Sequence, residues 1–282
     1  MLTAREDAMR QSFTTSSDGV EIALYEGGNP EGLEILFIHG FSQCAFCWQG
    51  QFESEALKGS FRLAALDIRG HGASGMPSGR EYYQDDKRFA DDIKAAMQAL
   101  GLKRPVLVAW SYAGRLITDY VRTFGTGDIA GINYVCARTN NDPEFSGPGT
   151  AFISAMLRDD PAKNIAATRA FVKACFAIEL AAEQFEKVFD YNMIVSPEIR
   201  GHHIRRPPSD GMILATIDIP VLVTQGSEDL LVSKGLAEWT AKTIPGAVLS
   251  LYEGIGHTPF VEDAPRFDAE LAEFVTRAAA QR

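Results

Sequence analysis

Apolar and polar positions follow two rhythms along this chain. Runs at residues 33–38, 61–67, 105–110, 132–136, 220–226 and 247–252 are short, continuous and rich in β-branched and aromatic side chains. That is the pattern of strands, and the 105–110 and 220–226 runs read as buried ones. Residues 12–15 and 20–25 alternate instead, on either side of Ser16-Ser17-Asp18-Gly19, which predicts a hairpin at a sheet edge. Between the runs the period lengthens. From Asp85 to Leu100 the apolar residues Phe89, Ile93, Met97 and Leu100 recur every three or four positions, predicting an amphipathic helix packed on the sheet. The segment 115–121 has the same spacing directly after the 105–110 run. Near the end, Asp263 stands as an N-cap with Pro265 in the first turn. The helix it opens should reach about Ala280, with Phe267, Leu271 and Phe274 on its inner face. A repeated β-then-α order predicts an α/β fold with a mostly parallel, doubly wound sheet.

The rhythm breaks after residue 138. No strand pattern returns until residue 220, and turn signals such as Asn140-Asn141-Asp142-Pro143 and Arg206-Pro207-Pro208 separate helical stretches. The chain therefore divides into a first core part (1–138), a helical insertion (139–213) and a second core part (214–282). Many of the insertion's aromatics should form its own small core. Others should face a pocket beneath it, and Phe145, Phe152 and Met156, with Trp110 from the core, are the candidates.

Composition narrows the function classes. With 282 residues, 46% hydrophobic and 23% charged, the chain can bury one large core plus an insertion. A formal net charge of −10 argues against nucleic acid and anionic membrane surfaces as partners. The first residues are acidic and lack an apolar core, so they do not read as a signal peptide. No run approaches the ~18 apolar residues of a membrane span. The expectation is a cytoplasmic protein acting on a small molecule; its oligomeric state is not readable. Cys44 and Cys47 form a C-x-x-C without a second pair, and Cys136 and Cys175 sit in strand and helix patterns. All four read as structural thiols. His202 and His203 lack carboxylate or cysteine neighbours at ligand spacing, so no metal site is expected, and no cofactor is called for.

The chemistry gathers around Trp110-Ser111-Tyr112-Ala113-Gly114, where a buried strand breaks on small residues and a helix begins. A serine on such a turn projects its hydroxyl beyond the sheet, and the helix start behind it leaves N–H groups free for a developing oxyanion. Both flanking small residues are alanines, Ala109 and Ala113, where the strict G-x-S-x-G elbow has glycines. An activated serine needs a base and an orienter for that base. Asp229 follows the 220–226 strand and His257 follows the 247–252 strand, giving the chain order Ser, Asp, His. Asp142, after the 132–136 strand, is the other acid in a comparable place. It stands in an Asn-Asn-Asp-Pro turn, where aspartate ordinarily bonds nearby backbone. Asp229 is therefore the expected orienter, with Glu228 pointing to solvent.

With these partners in place, the segments "HGF", "DIRGHGASG", "AWSYAG", "QGSEDLLV" and "GIGHTPFVEDAPRF" resemble the α/β-hydrolase superfamily, in its branch of lidded esterases, haloperoxidase-like enzymes and C–C hydrolases. The resemblance runs from about residue 12 to the end. It implies the α/β-hydrolase fold with a helical lid, and a cofactor-independent serine hydrolase cleaving a small ester through an acyl-enzyme. It further implies oxyanion donors at the backbone N–H groups of Phe41, the residue after His-Gly, and Tyr112, the residue after the nucleophile. An aspartate nucleophile is disfavoured because position 111 is serine. C–C hydrolysis and perhydrolysis would use the same three residues, although C–C hydrolases usually place asparagine where this chain has Trp110. A hydrolase-fold receptor that binds without turnover is the reading from another class. His39 should hold its loop by hydrogen bonds, and Asp67 and His71 should stabilise the 68–75 loop. The aromatic-rich insertion offers few candidate charge partners for a substrate beyond Arg138, Arg205 and Arg206, which predicts short to medium, mostly uncharged acyl groups.

Overall fold

The computed structural model describes residues 9–208 and 211–281. Its strands are β1 (Arg10–Thr15), β2 (Glu21–Gly28), β3 (Leu33–Ile38), β4 (Phe61–Leu66), β5 (Val106–Trp110), β6 (Gly131–Val135), β7 (Val221–Gly226) and β8 (Val248–Tyr252). They form one sheet in the order β1-β2-β4-β3-β5-β6-β7-β8. The hairpin β1–β2 and the β2–β4 pair are antiparallel, and every later pairing is parallel. The hairpin turn closes with the Ser16 N–H donating to the Val20 carbonyl at 2.8 Å, and Gly19 there takes φ +86°.

Alternation along the central strands sends neighbouring side chains into two cores. Leu36, Ile38, Leu107 and Ile132 pack under Phe89, Ile93, Leu116 and Tyr120 of the helices Asp86–Ala99 and Ala113–Phe124. Ile35, Phe37, Val106 and Val108 face the other way, onto Trp48 and onto Phe267, Leu271 and Phe274 of the helix Ala264–Ala280. Burial on both faces explains why these strands read as continuous apolar runs. Phe37, fully buried between Trp48 and Phe52, would cost about 3–5 kcal/mol if cut to alanine.

The 247–252 strand, β8, is the sheet's edge, and Val248 is 47% exposed. One local expectation changes. Asp263 occupies the N-cap position, but its side chain makes no capping bond. The preceding turn Pro259–Glu262 leaves Asp263 at φ −137° and ψ 56°, away from the usual N-cap backbone.

Between β6 and β7 the chain forms the helices Pro161–Ala174, Ala182–Ile194 and Pro197–Ile204 with shorter turns before and after them. Two of these starts are written in sequence as an acceptor followed by proline. Asp160 accepts from the Lys163 N–H and Ser196 from the Ile199 N–H, with Pro161 and Pro197 in the first turns. Asp142 does the same for the short Pro143–Phe145 turn. Met156, Phe171, Val195 and Ile199 join the core on the Leu107 side of the sheet, so the insertion is packed down onto it. Among the described residues no helix is long and apolar enough to cross a membrane.

Candidate active site

Ser111 directly follows β5 and takes φ +55°, a conformation that strains any side-chain-bearing residue. The surrounding backbone holds it there. Its N–H donates to the Val135 carbonyl at 2.9 Å, and its carbonyl accepts from the Arg138 N–H at 2.8 Å and the Gly114 N–H at 3.0 Å. Close approach explains the small neighbours. A Cβ on Gly114 would come within 2.8 Å of the Ala137 Cβ, so the glycine of this elbow stands where the helix touches the segment after β6. A Cβ on Gly40 would stand 3.1 Å from the Ser111 Cβ. The loop after β3 therefore passes directly beside the serine. The N–H groups of Phe41, on that loop, and Tyr112 have no hydrogen-bond partner among the described residues.

The loop after β7 carries Asp229. Its Oδ1 accepts from the N–H groups of Leu231 at 2.8 Å and Val232 at 3.0 Å, and its Oδ2 accepts from Gln225 Nε2 at 3.0 Å. The same Oδ2 lies 2.7 Å from His257 Nδ1. Three donors hold the carboxylate before the imidazole reaches it, so its direction is set by the loop. His257 is held in turn by its backbone: its N–H donates to the Cys175 carbonyl at 3.0 Å, and its carbonyl accepts from Trp110 Nε1 at 2.9 Å. Glu262 ties the same loop by accepting from Gly256 N–H at 3.1 Å and Thr258 Oγ1 at 2.9 Å. His257 Nε2 is held by no described residue. Gly226 allows the crossing of the two loops, since a Cβ there would meet the Gly256 carbonyl oxygen at 1.9 Å.

Cys136 Sγ, Asp229 and His257 present ligand atoms within 4.8 Å of one another. Their chemistry does not suit a metal. Burial, and then the Asp229 charge, push the Cys136 thiol well above its ordinary pKa, so it stays protonated. The imidazole and carboxylate are already bonded to each other. Burial also pushes up the thiols of Cys44, Cys47 and Cys175.

Ser111, Phe41 and Tyr112 open onto a cavity of about 470 Å³. The insertion supplies Ser146, Thr150, Ile153, Leu157 and Phe171 to its wall. None of the expected pocket residues Trp110, Phe145, Phe152 and Met156 lines it. Trp110 is buried beneath the site, where its indole bonds the His257 carbonyl. Phe145 packs on Trp239, Phe152 is 37% exposed, and Met156 is fully buried in the core. The apolar count of the insertion was visible in sequence, but which aromatics turn inward depends on helix packing.

Polar wall residues were less visible. His203 Nδ1 lies 3.2 Å from the Tyr112 hydroxyl, and its Nε2 lies 3.1 Å from the Arg69 carbonyl. Burial holds His203 well below its ordinary pKa, so Nε2–H donates to that carbonyl and Nδ1 accepts. Arg206 donates to the same Tyr112 hydroxyl at 3.1 Å. Arg115 also lines the cavity. Its signal was available, because it follows Ser111 by one helical turn. Arg205 is exposed and does not line the cavity.

The remaining titratable groups near the strand ends are structural. His39 donates from Nδ1 to the Gly40 carbonyl at 2.8 Å and accepts the Ile68 N–H on Nε2 at 3.0 Å. His71 Nε2 accepts the Ser42 N–H at 3.0 Å. Asp67 accepts from Ala45 N–H, Ala73 N–H and the Tyr25 hydroxyl. Asp142 is exposed and caps its own turn, while Glu228 is exposed as expected.

Comparison with known proteins agrees with this geometry. The model described as the alpha/beta hydrolase family matches residues 35–270. A non-heme chloroperoxidase from Kitasatospora aureofaciens is 29% identical over 93% of this chain and 98% of its own length. The structure of a candidate aryl esterase from Burkholderia cenocepacia is 31% identical, with a TM-score of 0.92 over 96% of this chain and 100% of that one. An esterase structure from Rhodococcus sp. ECU1013 is also 31% identical, with a TM-score of 0.86 over 95% of this chain and 98% of that one.

Proposed function

Because the chain belongs to the alpha/beta hydrolase family, we propose that it is a serine hydrolase that cleaves a small ester through an acyl-enzyme on Ser111. The observation that carries this reading is the 2.7 Å contact between His257 Nδ1 and Asp229 Oδ2, which leaves Nε2 unengaged, beside a strained serine that opens on a cavity.

In this reading Ser111 Oγ attacks the ester carbonyl while His257 Nε2 takes its proton. Asp229 keeps the imidazole in the tautomer with hydrogen on Nδ1 and stabilises the imidazolium without becoming protonated. Negative charge on the carbonyl oxygen meets the N–H groups of Phe41 and Tyr112, each worth about 3 kcal/mol of barrier. The alcohol leaves with the proton from His257. Water, deprotonated by His257, then attacks the acyl carbon and releases the acid and free Ser111. The segment 139–213 acts as a lid, since it walls much of the cavity. We keep the cytoplasmic placement as part of this reading.

The test is covalent labelling by a fluorophosphonate together with turnover of p-nitrophenyl esters. Stoichiometric labelling that disappears in Ser111→Ala, with loss of turnover, is expected. Labelling that survives the substitution would move the nucleophile away from Ser111, and saturable ester binding without turnover would place the chain among receptors of this fold.

A second reading is favoured by the similarity to a non-heme chloroperoxidase across almost the full length. Hydrogen peroxide in place of water would take the acyl group from Ser111 and leave as a peracid. Peracid formation from acetate and peroxide, measured by halide oxidation and lost in Ser111→Ala, is its test. C–C hydrolysis fits less well, because Trp110 spends its one polar hydrogen on the His257 carbonyl.

A further inference from the structure

Ester cleavage by itself does not require charge in the acyl pocket, yet this cavity has it. Arg115, Arg138 and Arg206 line it, and no carboxylate does among the described residues. The chain as a whole carries a formal net charge of −10, so a cationic cavity runs against its background. The three arginines are not equally satisfied. Arg206 pairs with Asp86 and Asp119, both at 2.6 Å. Arg122 approaches the same two acids at 3.6 and 3.4 Å. Arg115 is left with Asp86 at 3.5 Å and the Pro207 carbonyl, and its Nε, like that of Arg206, is buried with no partner among the described residues. Among the described residues, Asp86 and Asp119 are each approached by more than one guanidinium. Arg138 pairs with no carboxylate among the described residues; it donates to Ser146 Oγ at 2.7 Å and the Phe145 carbonyl at 3.4 Å. Burial pulls the pKa of both Arg115 and Arg138 down, against the opposing charges of Asp119 and Asp86 at Arg115 and of Asp229 at Arg138.

Position on the acyl side follows from the lining. Ser111, Phe41 and Tyr112 border this cavity, whereas His257, which hands a proton to the leaving alcohol, does not. An acyl chain on Ser111 can therefore enter this cavity.

We propose that the site selects acyl groups bearing a second, ionised carboxylate, so that its substrates are half-esters of small dicarboxylic acids, with Arg115 and Arg138 receiving the remote carboxylate. This deepens the serine-hydrolase reading and rests on it. It also reverses the expectation of uncharged acyl groups. That expectation counted arginines along the insertion, and Arg115 comes from the helix behind Ser111. A carboxylate between two guanidinium groups gains charge-assisted bonds that a neutral chain end does not. Cationic walls around a cavity also focus the field that draws an anion in.

The experiment compares mono-p-nitrophenyl glutarate with p-nitrophenyl hexanoate, each corrected for its uncatalysed rate. The anionic ester should be preferred in kcat/KM by roughly tenfold to a hundredfold, the range of a charged hydrogen bond. The preference should reside in KM and shrink as salt is added. Arg115→Gln combined with Arg138→Gln should bring the ratio close to one, while Arg138→Lys keeps part of it, a rescue that a packing role would not show. Equal or faster turnover of the hexanoate by the unaltered enzyme, or a ratio unmoved by the double substitution, overturns the proposal. Calorimetric binding of monomethyl glutarate and methyl hexanoate to Ser111→Ala separates it from the hydrolase reading. If neither ester is turned over, that reading fails, and tighter binding of the anionic ester still decides for the charged pocket. Equal binding of the two decides against it.

Discussion

Two carboxylate–imidazole clusters stand at the ends of the parallel strands, and they differ in what their hydrogen bonds leave over. In the first, His39 Nε2 lies 3.8 Å from Asp67 Oδ1, both fully buried. Each His39 nitrogen is already committed, one to the Gly40 carbonyl and one to the Ile68 N–H. Burial lowers its pKa to about 4 and lifts that of Asp67 to about 6, so the cluster favours uncharged forms. In the second, Asp229 binds His257 Nδ1 at 2.7 Å and Nε2 stays unengaged. From sequence the pairs look alike, each an aspartate and a histidine just past strands. A proton shuttle needs a nitrogen with nothing to do in the resting molecule, and only His257 of the two has one.

The comparison breaks most visibly at the groups proposed to react. Ser111→Ala or His257→Gln should lower kcat on the order of 10⁶-fold, as in other triads. His39→Gln should stay within about tenfold of the parent. Comparable losses at His39 and His257 in steady-state assays would erase the distinction.

Next in size is the orienter. Asp229→Asn should fold normally and lose turnover by about 10⁴-fold through the wrong imidazole tautomer. Asp142→Asn, which alters only a turn cap, should remain within about tenfold. The reverse pattern at equal thermal stability would move the acid to Asp142.

Gly72→Ala probes the sealed cluster without touching the open one. Gly72 has φ +52°, and a Cβ there would stand 2.1 Å from Asp67 Oδ2. We expect about 3 kcal/mol of lost stability in denaturant unfolding, with kcat little changed in the surviving folded enzyme. A large kcat loss at unchanged stability would tie Asp67 to the chemistry.

The smallest effect is a pH dependence. His39 titrates near 6.5 when unfolded and at about 4 when folded. Below pH 6.5 the unfolded chain takes up a proton that the folded one refuses, so the stability His39 contributes is present above that pH and lost as pH falls towards 4. Relative to His39→Gln, the parent should lose about 1.5 kcal/mol between pH 6.5 and pH 5 in urea melts. A difference that is flat over this range would mean His39 is charged in the fold.

Much of this molecule is determined locally. Continuous apolar runs dictate buried strands because both faces are covered, and each predicted strand lies within a residue or two of its observed bounds, from Leu33–Ile38 onward. The acceptor-then-proline starts at Asp160 and Ser196 dictate their helices through bonds spanning three residues. Small residues around Ser111, and turns after two later strands, named the candidate serine, acid and base for the same reason. What folding alone decided lies between segments distant in sequence. Edge exposure of β8 follows from strand order, which no single run encodes. The retreat of Trp110, Phe145, Phe152 and Met156 from the cavity follows from which side of each element meets a neighbour. The charge of the cavity depends on Arg115 from the helix behind the serine, Arg138 from the segment after β6 and Arg206 from the insertion all lining it, with Asp86 and Asp119 the carboxylates paired to Arg115 and Arg206 among the described residues. Sequence supplies the number of charges. Only three-dimensional convergence decides which of them remain unpaired, because an ion pair depends on separations of a few ångströms between groups that the chain itself holds far apart.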